Sequence, residues 1–120
     1  FNIGQRLTDV YPYANFISPM VYPSHYEWNF HGLGNPAEHP YSIVTSSLTE
    51  GVQLLETEIL VPTEVAQHKF RPWLQDFDIG AVYDSHKIQE QIRATRDAGA
   101  SGWIMWNARN VYEEGAYYGL

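Results

Sequence analysis

A capped helix between two short apolar stretches, in the carboxyl-terminal half of the chain, constrains the fold most strongly. The first stretch, residues 71–77 (RPWLQDF), is typical of a short buried strand that ends on a carboxylate, and residues 102–107 (GWIMWN) follow the helix directly. Strands joined by a helical crossover are expected to pair in parallel with a right-handed connection. The pattern therefore predicts an α/β fold with parallel strands.

The amino-terminal part predicts a further helix and strand before a long loop. Apolar residues at helical spacing favour a first helix over residues 3–14, with Pro12 disturbing its end. The apolar run at residues 16–22 (FISPMVY) predicts a strand. It opens into a loop at residues 23–36, rich in Gly, Pro, His and aromatic residues, and long irregular loops in compact domains are often functional.

Two longer helices are predicted around the central strand. The first begins at Pro40, which suits a first helical position, and continues to Ile59 with a weakening or break at Gly51. The second has Ser85 as its N-cap and Gly99 as its C-cap. The order of elements corresponds to about three of the eight βα units in a closed barrel of about 250 residues.

Length and composition limit the possible functions. At 120 residues, with 44% hydrophobic and 18% charged residues, the chain has the size and composition of one globular domain. A formal charge of −7 argues against nucleic acid or an anionic membrane surface as a partner. No apolar run approaches the ~20 residues of a membrane span. The absence of cysteine excludes thiol nucleophiles and thiolate metal sites, and it leaves the compartment open.

Asp76 and Asn107 are the first candidate functional residues. Each lies where a predicted strand ends, and parallel α/β sheets gather their chemistry at the carboxyl ends of their strands. Asp76 has two interpretations, because it is either a catalytic or ligand-binding carboxylate or a structural residue that caps the turn at residues 78–80. The sequence leaves both open.

Several stretches resemble the DUF4015-type glycoside hydrolase domain, a (β/α)8-barrel family. They are residues 18–26 (SPMVYPSHY), 71–77 (RPWLQDF), 97–103 (DAGASGW) and 106–112 (WNARNVY). The resemblance implies a partial (β/α)8 TIM barrel, in which residues 1–120 form the carboxyl-terminal part and supply the last three strands. It also implies hydrolysis of O-glycosyl bonds, with the partner carboxylate of Asp76 on missing upstream strands.

The start of the sequence and the resemblance both bear on the protein to which the chain belongs. Because the chain opens on Phe1, we expect it to be a cut or processed piece of a longer protein. We therefore expect the isolated chain to be inactive. An extracellular or cell-envelope location would suit the parent protein.

Aromatic and polar residues beside the strand ends are the expected substrate-binding groups. Aromatic rings offer an apolar face to the C–H groups of a sugar, while hydroxyl and imidazole groups reach its hydroxyls. The candidates are Tyr22, Ser24, His25, Tyr26, Gln75, Trp106 and Asn107. The alternative for the aromatic members is a loop that packs on its own side chains.

The predicted strands carry apolar side chains on both faces. Alternation puts Trp106 on one face and Trp103 on the other, so one of these two tryptophans is expected to belong to the core. Three parallel strands cannot close a barrel. Self-association or the remainder of a barrel is therefore expected, and burial of Met20, Leu74 and Ile104 should depend on that partner.

The sequence predicts no cofactor and no metal site. His25, His31 and His39 are separated by six and eight residues, which matches no standard helical ligand pair. Glu113 and Glu114, in the Tyr-rich tail, are interpreted as solvated surface. The predicted function is hydrolysis of an oligosaccharide or polysaccharide, with Asp76 as a catalytic residue. The alternative is a non-catalytic carbohydrate-binding or interaction fragment that lacks the general acid.

Overall fold

The fold combines four α-helices with a two-stranded parallel sheet in residues 5–119, the part of the chain that this computed structural model describes. The elements are α1 (Leu7–Val10), α2 (Pro40–Ile59), α3 (Thr63–Lys69), β1 (Trp73–Gln75), α4 (Ser85–Asp97) and β2 (Ile104–Trp106). Short 3-10 turns occur at Tyr11–Tyr13, Pro23–His25, Phe30–Gly32, Pro36–Glu38 and Glu114–Ala116. The prediction of an α/β fold with parallel strands is confirmed.

The strand–helix–strand unit forms as predicted, although both strands are shorter than the sequence suggested. Trp73 lies opposite Ile104, and Gln75 lies opposite Trp106. The pairing continues one residue further, where the Asp76 N–H donates to the Trp106 carbonyl at 3.0 Å. The carboxyl ends of β1 and β2 therefore lie side by side.

A third segment, residues 17–21, runs parallel to β1 along its other edge, but the regular strand predicted at residues 16–22 is absent. Bridges join Ile17 to Phe70 and Met20 to Trp73. The pairing is interrupted between them because Pro19 has no N–H to donate, although its carbonyl still accepts the Trp73 N–H at 2.9 Å. The prediction of three parallel segments holds, and the prediction of a regular first strand is wrong.

Two helix predictions at the amino-terminal side need correction. Of the helix predicted over residues 3–14, residues 3 and 4 lie outside the described residues, and the rest forms α1 and a 3-10 turn that contains Pro12. The predicted break at Gly51 is wrong, because α2 continues through it without interruption. A Cβ atom at this position would lie 2.8 Å from the Phe70 ring, so the glycine makes room for that ring.

The N-cap of α4 is Asp84, and the predicted cap Ser85 is instead the first helical residue. The Asp84 side chain accepts the Lys87 N–H at 3.0 Å, which satisfies one of the free donors of the first turn. Gly99 follows the last turn with a φ of +77°, a conformation that favours glycine. The helix α3 was not predicted at all.

One face of the sheet is completed within the chain, and the other is not. We call the first the covered face (Val21, Leu74 and Met105), because its side chains join the hydrophobic core with residues of α2 and α4. Leu74 is fully buried, so the expectation that its burial needs a partner is wrong. We call the second the open face (Met20, Trp73, Ile104 and Trp106), where alternation along the strands places the remaining side chains. These four residues are half-buried or exposed, whereas Gln75, which alternation puts on the same face, is fully buried beneath the Ser24 loop.

The buried side chain of Gln91, on α4, extends the hydrogen bonding of β1. Its Oε1 accepts the Gln75 N–H at 2.9 Å, and its Nε2 donates to the Gln75 carbonyl at 2.7 Å. The neighbouring segment turns away at Pro23, so these two main-chain groups have no strand partner. An amide side chain thus replaces a strand at the point where β1 reaches the carboxyl edge.

Candidate functional site

A cleft of about 760 Å³ lies at the carboxyl edge of the sheet. Four of the predicted site residues line it, namely His25, Asp76, Trp106 and Asn107. We call residues 108–119 the tail. The other walls of the cleft come from the loop at residues 77–84 and from residues 108–113 of the tail. The strand ends that were expected to carry chemistry therefore meet at one concave surface.

Asp76 is buried in the wall of this cleft, with only 4% of its surface exposed. Its Oδ2 accepts two hydrogen bonds from the tail, one from the Glu113 N–H at 3.0 Å and one from the Tyr117 hydroxyl at 2.5 Å. Burial first, and then the hydrogen bond to Asp76, raise the pKa of Tyr117, so the phenol keeps its proton and donates it. The carboxylate therefore borders the cleft and also has a structural task, which is to anchor the tail and not to cap the turn at residues 78–80 as the sequence suggested.

Asn107 organises the chain that follows β2. Its Nδ2 donates to the main-chain carbonyl of Asp76, which ties the two strand ends together. Its Oδ1 accepts the Arg109 N–H at 2.8 Å and the Val111 N–H at 3.3 Å. Side-chain to main-chain bonds of this kind shape a turn, so Asn107 sets the course of the tail along the cleft.

The two tryptophans near β2 lie on opposite faces, as alternation predicted. Trp106 is 44% exposed in the cleft wall, and it contacts Trp73 edge-on at 6.2 Å between ring centroids. Trp103 packs against the core and stacks on Tyr117 at 6.1 Å. The prediction that one of them belongs to the core is confirmed, and Trp106 contributes to the aromatic surface of the cleft.

Tyr22 and His25 are neighbours, but only His25 reaches the cleft. The Tyr22 ring is 7% exposed and packs edge-on against His25 and Phe77, each at 5.4 Å between centroids. Burial raises the pKa of Tyr22. The alternative of a loop packed on its own aromatic rings therefore describes Tyr22 well, while His25 is exposed and lines the cleft.

Ser24, Tyr26 and Gln75 lie away from the cleft surface. Gln75 is fully buried, where its Oε1 accepts the Ser24 N–H at 3.1 Å and its Nε2 donates to the Phe77 carbonyl at 2.9 Å. The Tyr26 hydroxyl bonds to Ser47 at 2.6 Å on the side of a second cavity, and burial raises its pKa. These residues support the loops behind the site, so the structure does not favour direct substrate contact for them.

Sequence reasoning missed several polar residues that line the cleft, notably Asp78, Asp84, Arg109 and Glu113. Asp78 accepts the Tyr83 N–H at 2.7 Å, and the Lys87 N–H lowers the pKa of Asp84. Both carboxylates therefore shape the loop between β1 and α4. The frequency of Asp in turns could have suggested Asp78 and Asp84. No sequence pattern indicates that the tail packs against the end of β1, so Arg109 and Glu113 could not have been found in this way.

The three histidines that invited a metal hypothesis do not meet. His31 pairs with Glu50 at 3.1 Å, His25 packs on Tyr22, and His39 precedes α2. Within residues 5–119, no three His, Asp or Glu side chains come together as metal ligands. No helix in that range is long and apolar enough to cross a membrane.

Comparison with known proteins agrees with the resemblance seen in the sequence. The family model DUF4015, described as "Putative glycosyl hydrolase domain", matches residues 1–112 and so includes Asp76, Trp106 and Asn107. No curated protein and no solved structure matches the chain.

Proposed function

Because the chain belongs to the DUF4015 family, described as "Putative glycosyl hydrolase domain", we propose that it takes part in the hydrolysis of O-glycosyl bonds. The substrate would be an oligosaccharide or polysaccharide bound in the cleft at the carboxyl edge of the sheet. One observation carries the proposal: an exposed tryptophan, Trp106, and a carboxylate, Asp76, line the same cleft. Sugar sites need both kinds of group.

The chemistry requires two carboxyl groups. One gives a proton to the glycosidic oxygen, and the other either takes a proton from the attacking water or bonds to the anomeric carbon. Asp76 suits the second task, because both hydrogen bonds to its side chain fall on Oδ2. Its Oδ1 has no donor among residues 5–119, and the residue lines the cleft.

The aromatic platform in this proposal differs from the one that the sequence suggested. The rings that line the cleft come from His25, Phe77, Tyr83, Trp106 and Tyr112, whereas Tyr22 is buried and does not line it. A sugar ring would lie against Trp106 through its C–H groups and reach the polar wall through its hydroxyls.

The proposal extends to the architecture, with residues 1–120 as the carboxyl-terminal part of a (β/α)8 barrel. In a closed barrel, side chains from the other strands fill the interior against the open face. Met20, on that face, is 70% exposed here, which supports the proposal. The helices α2 and α4 would then belong to the outer ring.

A second candidate function is carbohydrate binding without catalysis. The observation that favours it is the burial of Asp76, whose Oδ2 has a structural task as the acceptor from the Glu113 N–H and the Tyr117 hydroxyl. The platform around Trp106 would then hold a sugar while bond cleavage takes place elsewhere or not at all.

The Asp76→Asn variant of the full-length protein separates these two functions. If Asp76 is catalytic, turnover per folded molecule should fall on the order of 10²-fold or more. Turnover is normalised to folded protein because Asp76 also anchors the tail. The matched control is Asp97→Asn, outside the cleft, where the carboxylate accepts the Tyr41 hydroxyl. Full turnover in folded Asp76→Asn would leave the structural interpretation in place.

The platform is tested by tryptophan fluorescence during titration with soluble oligosaccharides. The signal should be quenched or shifted on binding, and Trp106→Ala should abolish the response. Trp28→Phe is the control, because Trp28 is 74% exposed but lies outside the cleft. An unchanged response in Trp106→Ala would contradict the platform.

A further inference from the structure

Glu113 brings a second carboxylate to the wall of the cleft, directly beside Asp76. Its N–H donates to Asp76 Oδ2 at 3.0 Å, and the residue lines the same cleft. The side chain is exposed, and within residues 5–119 it takes part in no ion pair and accepts no hydrogen bond. Its neighbour Glu114 begins a 3-10 turn and does not line the cleft.

The tail that carries Glu113 is held on both sides of it. Upstream, Asn107 fixes the turn through the N–H groups of Arg109 and Val111. Downstream, Ala116 is fully buried in the core, and its carbonyl accepts from Gln89 Nε2 at 3.3 Å. The position of residue 113 over the end of β1 is therefore set by the fold.

Charge also connects the two carboxylates. Tyr117 donates to Asp76, and the negative charge of Glu113 is the last of the causes that raise the pKa of this phenol, after burial, Asp76 and Tyr112. Glu113 is thus bonded to Asp76 through its main chain, and both residues line the same cleft. A pair of carboxyl groups at separations of about 5–9.5 Å is the arrangement that glycoside hydrolysis uses.

We propose that Glu113 is the catalytic proton donor that works with Asp76, an inference that rests on the hydrolytic function proposed above. The Glu113 carboxyl group gives its proton to the glycosidic oxygen while the bond from that oxygen to the anomeric carbon breaks and its electron pair passes to the oxygen. The anomeric carbon takes the hydroxyl of a water molecule whose proton goes to Asp76. Alternatively it first bonds to Asp76, and water then displaces Asp76 as a free carboxylate while the proton of that water returns to the Glu113 carboxylate. The partner carboxylate then lies within this chain and not on an upstream strand.

The matched pair Glu113→Gln and Glu114→Gln tests this role in the full-length protein. Glutamine keeps the main-chain N–H that bonds to Asp76, so the substitution removes the carboxyl group and leaves the anchor of the tail. On an unactivated oligosaccharide, Glu113→Gln should lose about 10²- to 10⁴-fold in turnover, as expected for a positioned acid. On a dinitrophenyl glycoside of the same sugar it should lose far less, because that leaving group departs without a proton. Glu114→Gln should match the unaltered protein on both substrates.

The outcomes distinguish this inference from the function on which it rests. Equal losses on the two substrates, or no loss on either, would overturn the role of Glu113. If Asp76→Asn is inactive while Glu113→Gln is not, hydrolysis stands and the proton donor lies elsewhere. An unaltered protein that cleaves neither substrate, for any sugar offered, overturns the proposed hydrolysis and this inference with it.

Discussion

The covered face and the open face of the sheet are built from similar apolar side chains but end in different environments. On the covered face Leu74 is fully buried and Val21 is 3% exposed, since α2 and α4 pack over them. On the open face Met20 and Trp106 are 70% and 44% exposed. The comparison teaches that the chain supplies the helices that cover one face of its sheet. It leaves the other face as partly exposed apolar surface next to the cleft.

Substitution of one residue from each face gives the largest expected contrast. Leu74→Ala should lower the free energy of unfolding by about 2–5 kcal/mol, because it leaves a cavity in the core. Met20→Ala should change it by about 0.5 kcal/mol or less, since surface substitutions rarely do more. Urea denaturation measures both. Similar losses would break the comparison, since they would mean that the open face is covered in solution.

Removal of the buried hydrogen bonds between Gln91 and β1 should have the next largest effect on stability. Gln91→Leu removes both partners of the Gln75 main chain, so a buried N–H and a buried carbonyl lose their hydrogen bonds. The expected loss of stability is on the order of 2 kcal/mol. Gln89→Leu, on the same helix, is the matched control because Gln89 is exposed and makes one bond, to Ala116 at 3.3 Å. Equal effects of the two variants would contradict the role assigned to Gln91.

Alkaline pH should lower the stability of the fold through Tyr83, which belongs to the hydrophobic core beneath the covered face. This residue is 3% exposed, and burial first, with the charge of Glu38 second, raises its pKa. The unfolded chain loses the phenolic proton near pH 10, while the folded chain retains it. The stabilisation is therefore fully present below about pH 10 and is lost as the pH rises further. The free energy of unfolding should fall between pH 9 and about pH 11, and less steeply in Tyr83→Phe than in a Tyr118→Phe control, where the ring is 75% exposed.

The smallest effect concerns access of a neutral quencher to the two tryptophans near β2. Acrylamide should reach Trp106, in the cleft wall, more readily than Trp103, which stacks on Tyr117 in the core. In a Trp28→Phe background, Trp106→Phe should reduce the quenching constant, and Trp103→Phe should raise it. The opposite order would mean that the open face is shielded at its carboxyl edge.

Local patterns in the sequence were enough to predict the strand–helix–strand unit and the placement of Asp76 and Asn107 at neighbouring strand ends. Helix α2 was also predicted between its correct bounds. These features depend on periodicity and on caps, which a short window of sequence contains. The interruption at Pro19 follows from the same rules, because proline has no N–H for a strand pair.

The state of Asp76 could not be predicted, because its partners come from distant positions. Glu113 and Tyr117 lie 37 and 41 residues further along the chain, and no periodic pattern connects them to β1. The burial of Gln75 could not be predicted for a similar reason, since it depends on the Ser24 loop and on Gln91. The contacts of Asp76 with the tail thus depend on tertiary structure, whereas the strand ends that carry Asp76 and Asn107 could be predicted from local sequence.

The contact between Gly51 and Phe70 has a consequence for how sequences of this family vary. A Cβ atom at position 51 would lie 2.8 Å from the Phe70 ring, in a helix that glycine does not otherwise favour. Alanine there would improve the helix only if the ring became smaller. We expect the two positions to change together, with glycine beside an aromatic ring and alanine or serine beside a leucine or valine. Paired changes of this kind would indicate that the spacing between α2 and the end of α3 is maintained, even in relatives whose other residues have diverged.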